Sequence, residues 1–199
     1  MKQFFLTILI IFHFDSYAQT DNKYNNFDKI IMEVEGDLNN DKLLDKVSIT
    51  QDTLNKYAPY RLQIFFKELN GKSKLIVSST KLIEPQYPDG TNGFSNGNGL
   101  SSVIIKKGIL SISFKLLRGH YEHKFRYKNG NFELMGYSYG ASDGLGLTET
   151  IDFNLLTGIR IKKKERYDID KLISCEKKKL LIRPLPKLQD INPLEDEGY

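Results

Sequence analysis

Alternating apolar and polar residues, broken by short turns with glycine, recur along most of this 199-residue chain. In the segment 61–69, Leu62, Ile64 and Phe66 share one face, and Asn70-Gly71 follows. A period of two residues predicts a half-buried strand, and Asn-Gly is a strong hairpin signal. Lys107-Gly108 and Asn129-Gly130 separate similar pairs of alternating segments. This pattern predicts strands joined by tight turns.

About ten strands are expected from this pattern. They are predicted over 30–34, 44–50, 61–69, 74–79, 102–106, 109–116, 121–127, 132–139, 148–154 and 158–164. One weak helix is predicted over 168–178. Hairpins with turns at this spacing are typical of an antiparallel sandwich or barrel. The fold is therefore predicted to be all-β, mainly an antiparallel sandwich or barrel-like sheet that is rich in hairpins and has little helix.

The start of the chain has the features of a secretory signal peptide. Lys2 precedes an apolar run over 4–14, and Ser16-Tyr17-Ala18 supplies small residues at a cleavage site. Gln19 follows where a lipoprotein would carry cysteine. We therefore predict a signal peptide over 1–18, a single mostly-β domain over 19–183 and an extended tail over 184–199. The mature protein is expected to be periplasmic or extracellular, without a lipid anchor or a transmembrane segment.

The segment 36–45 is the candidate metal site. Side-chain oxygens fall at Asp37, Asn39, Asp41 and Asp45, and the backbone carbonyl of Leu43 lies between them. Calcium takes 6–8 oxygen ligands, and an oxygen on every second residue can wrap such an ion. The spacing therefore predicts calcium as a cofactor.

A second interpretation of the same segment stays open. Lys42 stands where calcium loops prefer glycine, and Ser48 stands where an EF-hand has its bidentate glutamate. Aspartate and asparagine also form turns in which their side chains bond the local backbone, with no metal. The sequence is compatible with either a calcium loop or a plain turn.

The segment resembles the calcium loops of FG-GAP and VCBS-type repeats, which read Gly-Asp-Leu-Asn-x-Asp-Gly-x-x-Asp before an apolar strand. The match covers about a dozen residues, and Lys42 departs from it. Such repeats occur in cell-surface and secreted proteins as binding or structural modules, and one copy cannot build a propeller. The resemblance thus implies a local cation loop. The segments 132–137 and 152–158 are similar to segments of small exported bacterial β proteins of unknown function.

Several enzyme classes do not fit the sequence. Ser138 lies in a Gly-x-Ser-x-Gly pattern, but no histidine follows it, so the order of a hydrolase triad fails. His120 and His123 would lie on opposite faces of a strand, which disfavours a shared zinc ion. Gly97-x-Gly99 and Gly144-x-Gly146 lack the third glycine of a dinucleotide fingerprint. Cys175, the single cysteine, is expected to be idle or to pair with another chain.

Two further segments offer places for a partner. The segment 160–183 carries ten basic and four acidic residues. It suits an anionic glycan or lipid, or is simply the solvated face of edge strands. The long loop over 85–102, rich in glycine and asparagine, is either a binding loop or a mobile surface loop. Export makes a nucleic-acid partner improbable.

Two functions of different class remain. The first is an exported non-catalytic β domain, stabilised by calcium, with a binding or structural role at the bacterial cell envelope. Its partner would be an envelope protein or an anionic glycan. The second is an envelope enzyme or accessory protein of surface polysaccharide metabolism, built on two carboxylates that distant strands bring together. Such a pair needs no local motif, so the sequence leaves this alternative open.

Overall fold

The computed structural model describes residues 26–91 and 99–192, and these form two antiparallel sheets. The smaller sheet has four strands in chain order: β1 (Phe27–Gly36), β2 (Asp45–Asp52), β3 (Tyr60–Lys67) and β4 (Ser73–Ser79). The larger sheet has seven: β5 (Gly99–Lys106), β6 (Ile109–Leu116), β7 (Gly119–Lys128), β8 (Asn131–Ser142), β9 (Leu147–Asn154), β10 (Ile159–Arg166) and β11 (Lys171–Lys179). Every strand pairs with its neighbour in the chain within its sheet, because short hairpin connections keep consecutive strands adjacent.

The apolar faces of the two sheets share one buried core. Leu62, Ile64 and Phe66 of β3 are buried, as their period of two residues predicts. Phe125 and Phe132 from the larger sheet belong to the same buried cluster. The all-β prediction is therefore confirmed, and the architecture is that of two packed antiparallel sheets.

Two hairpin turns lie where the Lys-Gly and Asn-Gly dipeptides predicted them. Lys107 and Gly108 connect β5 to β6, and Asn129 and Gly130 connect β7 to β8. Both residues of each pair have a positive φ, between 50° and 79°. Two-residue turns of this conformation match the right-handed twist of the strands that they join.

Two local predictions are wrong. The segment predicted as a helix over 168–178 forms β11, which pairs with β10 along nearly all of its length. Strand pairing over a whole edge outweighs a weak local helix preference. The strand predicted over 132–139 is too short, because β8 continues to Ser142. The described residues contain eleven strands, one more than predicted, and one 3-10 turn, Leu188–Asp190.

The segment after β11 returns to the body of the domain. Pro186 accepts a hydrogen bond from the backbone of Leu134, and Lys187 forms a bridge with Glu133 in β8. Leu188 and Ile191 are 0% and 1% exposed. The described part of the predicted tail therefore packs against the domain and contributes two side chains to its core.

Several predictions fall on residues that the structure leaves undescribed. The signal peptide over 1–18 lies outside the described residues, and so do residues 92–98 within the long loop predicted over 85–102. β5 begins at Gly99, inside the predicted loop. Residues 193–199 of the tail also lie outside the described part of the chain.

Candidate functional site

The predicted calcium segment forms the turn between β1 and β2. The carboxylate of Asp37 accepts backbone hydrogen bonds from three residues that follow it. Its Oδ1 accepts from Asn40 at 2.7 Å and from Asp41 at 3.2 Å, and its Oδ2 accepts from Lys42 at 2.9 Å. The chain therefore curls around the Asp37 carboxylate.

Asn39 and Asp41 complete this network. Asn39 Nδ2 donates to Asp41 Oδ2 at 2.8 Å, and the Asp41 backbone donates to Asn39 Oδ1 at 3.0 Å. Asp41 Oδ1 accepts from the backbone of Leu43 at 2.8 Å. The structure thus brings together Asp37, Asn39 and Asp41, three of the side chains that the sequence nominated.

The backbone of this turn has the conformation that calcium loops use glycine to reach. Asn40 and Lys42 have φ of 65° and 69°. Lys42 is the residue that departs from the FG-GAP pattern, in which glycine stands at this position. Positive φ is costly for lysine and is held here by the hydrogen bonds to Asp37.

Asp45 has a different role from the other nominated residues. It is 0% exposed. Its Oδ2 accepts a hydrogen bond from the backbone of Leu38 at 2.9 Å, and its Oδ1 accepts from the backbone of Lys67 at 3.0 Å. Burial raises the pKa of Asp45, and the two backbone hydrogen bonds act in the opposite direction. The Asp45 carboxylate therefore links Leu38 in the turn to Lys67 in β3.

The donor set suits calcium in chemistry and only partly in arrangement. Asp37 and Asp41 supply carboxylates, Asn39 supplies an amide oxygen, and each oxygen has two lone pairs of which the backbone uses some. Asp45 is engaged by N–H groups of Leu38 and Lys67. Among the described residues no group of three or more His, Cys, Asp and Glu side chains is arranged to hold a metal. Calcium at this turn stays a prediction, with the metal-free turn as its alternative.

The turn lies at a junction of the two sheets. A Cβ added to Gly36 would approach Ile105 Cγ2 to 2.6 Å, so the backbone of β1 lies directly against β5. A Cβ on Gly108 would meet Asn40 Oδ1 at 3.2 Å, which places the turn beside the β5–β6 hairpin. The bond from Lys67 to Asp45 joins the same turn to β3 in the smaller sheet.

A cleft opens beside this turn. It has a volume of about 630 Å³, and Asn39, Asp41, Phe66 and Tyr127 are among the residues that line it. The rings of Phe66 and Tyr127 meet edge to face, with centroids 4.7 Å apart. The oxygens of the turn therefore border an open, partly aromatic surface.

A second cleft tests the enzyme hypothesis. It has a volume of about 310 Å³, and Tyr139, Asp143, Glu149 and Lys164 line it. A glycoside hydrolase needs one carboxyl group with a raised pKa to protonate the leaving group. Backbone hydrogen bonds from Leu145 and Leu147 lower the pKa of Asp143.

The other carboxylate of this cleft also lacks a proton to give at neutral pH. Burial would raise the pKa of Glu149, but hydrogen bonds and charges from Lys162 and Lys164 outweigh it and lower the pKa. Two ionised carboxylates do not form the acid and base pair of a glycosidase. The pKa directions of Asp143 and Glu149 therefore supply no protonated acid for this mechanism, and the enzyme alternative stays a prediction.

The remaining nominated residues lie in ordinary structural settings. Ser138 is inside the continuous strand β8, not on a turn. His123 is 2% exposed, and its ring lies 5.3 Å from that of Tyr137. His120 is exposed and lies three residues before His123, on the opposite face of β7, as the strand prediction implied. Cys175 is exposed on β11.

One charged group, on β9 and β10, was not predicted from the sequence. Glu149 bridges Lys162 at 2.6 Å and Lys164 at 3.4 Å. The signal was present, since Arg160, Lys162 and Lys164 alternate along one strand face. It was treated only as part of a long basic segment, because the face that β10 turns toward the core depends on its register with β9.

Comparison of the chain with protein-family models, with curated proteins and with solved structures gives no match. Within the described residues, no helix has the length and hydropathy of a membrane span.

Proposed function

We propose that this protein is an exported β domain with a binding or structural role at the bacterial cell envelope, and that calcium in the turn 37–43 stabilises it. The observation that carries the proposal is the position of the turn. The turn lies where β1 meets β5 and the β5–β6 hairpin, and Asp45, just after the turn, accepts a hydrogen bond from the backbone of Lys67 in β3. An ion bound there would hold together the ends of two sheets.

Electrostatics supports an ion at this turn. Asp37 and Asp41 share one short hydrogen-bonded network, and the Asp41 backbone donates to Asp37 Oδ1 at 3.2 Å. Burial raises the pKa of Asp45, and the nearby negative charges of Asp41 and Asp37 raise it further. A divalent cation would offset this repulsion among the carboxylates. Extracellular modules bind calcium with dissociation constants of about 10⁻⁴ to 10⁻³ M, so a site with few protein ligands suits an exported protein.

Export rests on the sequence of the first 18 residues, with its charged start, apolar run and small residues. The signal peptide and the loop of calcium type are features that exported binding and structural modules share. With one cysteine the chain forms no internal disulfide, so the stability of the exported domain must come from packing.

The test is calcium binding by the mature chain, which begins at Gln19. Calorimetry should show heat for the wild type and little heat for Asp41→Ala. At a calcium concentration about 100-fold above the dissociation constant, the melting temperature should rise by about 5 °C or more over that in EDTA. Asp143→Ala is the matched control, because Asp143 also accepts two backbone hydrogen bonds in an exposed turn. It should keep the calcium response.

Two results would contradict the calcium part of this proposal. Equal heats for the wild type and Asp41→Ala would remove the turn as the site. A melting temperature that EDTA leaves unchanged, after calcium removal has been verified by elemental analysis, would show that the turn satisfies its carboxylates without an ion.

A further inference from the structure

We propose that the cleft beside the turn 37–43 binds a neutral glycan through two asparagine–acid pairs and an aromatic floor. The cleft is called the turn cleft below. The residues that carry the inference all line it, and they are Asn39, Asp41, Phe66, Glu68, Asn70 and Tyr127. The inference rests on the binding role proposed above and names its ligand class, a chain of uncharged sugars.

The turn between β3 and β4 repeats the hydrogen bonding of the turn between β1 and β2. Asn39 Nδ2 donates to the carboxylate of Asp41 at 2.8 Å. Asn70 Nδ2 donates to the carboxylate of Glu68 at 3.1 Å. The Oδ1 of each asparagine accepts from the backbone two residues later, at 3.0 Å from Asp41 and at 2.7 Å from Lys72. Each turn therefore holds an amide and a carboxylate side by side.

The buried Asp45 fixes the positions of both pairs. Its carboxylate accepts hydrogen bonds from the backbone of Leu38 and of Lys67, the residues that immediately precede Asn39 and Glu68. The backbone of Glu68 also donates to the carbonyl of Lys72 at 2.9 Å, which closes the β3–β4 turn. The two pairs are thus ordered before a ligand arrives, which lowers the entropic cost of binding.

The hydrogen-bonding capacity of the pairs matches sugar hydroxyls. An amide nitrogen carries two N–H groups and a carboxylate oxygen has two lone pairs, so each pair keeps donors and acceptors for a ligand. A hydroxyl both donates and accepts, and neighbouring hydroxyls on a sugar ring can use the amide and the carboxylate together. The pairs therefore suit a ligand that presents hydroxyls in series.

The charges around the turn cleft favour an uncharged ligand. Asp41 and Glu68 line the cleft together with Lys67 and Lys74, so its lining carries two charges of each sign. The balance also holds over a wider area, because the segments 37–45 and 67–74 together contain four acidic and four basic residues. A strongly charged ligand of either sign would meet like charges in the lining.

The floor of the turn cleft supplies apolar contact. The Phe66 ring lies edge to face with that of Tyr127, which is half-buried and also packs against Phe132 with centroids 5.2 Å apart. An aromatic ring offers an apolar surface to the C–H groups of a sugar, and the tyrosine hydroxyl offers a hydrogen bond. Leu69 also lines the cleft and is 95% exposed, so a bound ligand would cover it.

The experiment measures binding of three neutral oligosaccharides, cellohexaose, isomaltohexaose and mannohexaose, to the mature chain in EDTA by calorimetry. The wild type should bind at least one of them. Asn70→Ala should weaken that binding by about tenfold, because the amide is lost and the Glu68 carboxylate is no longer held. Asn55→Ala is the matched control. Asn55 accepts a backbone hydrogen bond from Tyr57 at 3.0 Å in an exposed turn, and it does not line the cleft. It should change the affinity by less than about twofold.

A second pair of variants tests the apolar contact without disturbing the core. Leu69→Ala should weaken binding by about threefold, because the ligand no longer covers that side chain. Leu54→Ala is the control, since Leu54 is 78% exposed and does not line the cleft. It should leave the affinity unchanged. Melting curves should be the same for both variants and the wild type.

Three outcomes would overturn the inference. The first is the absence of binding heat with all three oligosaccharides. The second is an equal loss of affinity in Asn70→Ala and Asn55→Ala. The third is tighter binding of a galacturonate oligomer that is abolished by about 0.5 M sodium chloride, which would indicate a charged ligand. The assay contains EDTA, and its variants leave the turn 37–43 unchanged. Failure of glycan binding is therefore distinguishable from failure of the calcium proposal, which is read from calcium heats and melting temperatures without glycan.

Discussion

At the scale of single residues, Asp45 is the nominated ligand whose role the structure changes most. The sequence places it at the end of a calcium-type repeat, and its spacing alone suggests an ion ligand. In the fold it is buried and accepts N–H bonds from Leu38 and Lys67. A buried carboxylate that receives backbone hydrogen bonds is compensated for its lost hydration. Asp45 therefore stabilises the turn through its hydrogen bonds to the backbone of Leu38 and Lys67.

Replacing Asp45 should destabilise the domain even without calcium. Asp45→Ala leaves two backbone N–H groups without an acceptor, one buried and one partly buried, and should lower the free energy of unfolding by about 2–5 kcal/mol. Urea denaturation in EDTA measures the change. Asp37→Ala is the comparison, because the N–H groups that it releases can bond water. Its loss should be about 1 kcal/mol. A larger loss for Asp37→Ala than for Asp45→Ala would contradict the structural role of Asp45.

At the scale of elements, the two-residue hairpins show how turn chemistry sets the strand register. The β5–β6 and β7–β8 turns share a left-handed backbone at both positions. Asn129 suits that conformation, whereas Lys107, with a φ of 51°, must adopt it against its Cβ sterics. The β5–β6 hairpin thus contains strain that the β7–β8 hairpin avoids.

Exchanging these residues should move stability in opposite directions. Lys107→Asn should raise the free energy of unfolding by about 0.5–1 kcal/mol, since asparagine tolerates the left-handed region. Asn129→Lys should lower it by a similar amount. Both variants are compared with the wild type by chemical denaturation. Changes of the same sign in the two variants would contradict this conformational explanation.

At the scale of the whole molecule, the C-terminal segment completes the core. After β11 the chain passes Arg183, whose guanidinium donates to the carbonyls of Leu155 and Leu156. It then pairs briefly with β8 and inserts Leu188 and Ile191 between the sheets. The segment 183–191 therefore completes a core that the hairpins alone do not fill.

Truncating one of these side chains should affect the whole domain. Leu188→Ala should cost about 2–5 kcal/mol, because it removes buried methyl groups and leaves a cavity. Leu145→Ala is the matched control, since Leu145 is 88% exposed. It should change the free energy of unfolding by less than about 0.5 kcal/mol. Similar losses from both variants, measured by thermal or chemical unfolding, would contradict a core position for the C-terminal segment.

Local pattern predicted the parts of this protein that depend on near neighbours. Strand alternation and tight turns act over a few residues, so β3, β6 and β7 could be placed from the sequence. The predicted helix over 168–178 shows the limit of this reasoning. The segment lacks strong strand alternation, and pairing with β10 across the turn at 167–170 makes it a strand. Only the presence of a neighbouring edge decides such a segment.

The candidate turn could be predicted in part. Asp37, Asn39 and Asp41 meet because their separation along the chain already limits their distance in space. Asp45 is only four residues beyond Asp41, yet it faces Lys67, which no local rule connects to it. The side of the sheet to which Lys162 points could not be predicted, because it is set by register with β9.

The sequence by itself determined the class of the fold, the hairpins and the oxygen-rich turn, since these follow from side-chain alternation, turn chemistry and short spacing. The tertiary structure decided which turn joins the sheets, which strand face remains uncovered and how the chain's end seals the core. Those outcomes depend on contacts between residues far apart in the chain, and their energies arise only when the sheets pack together.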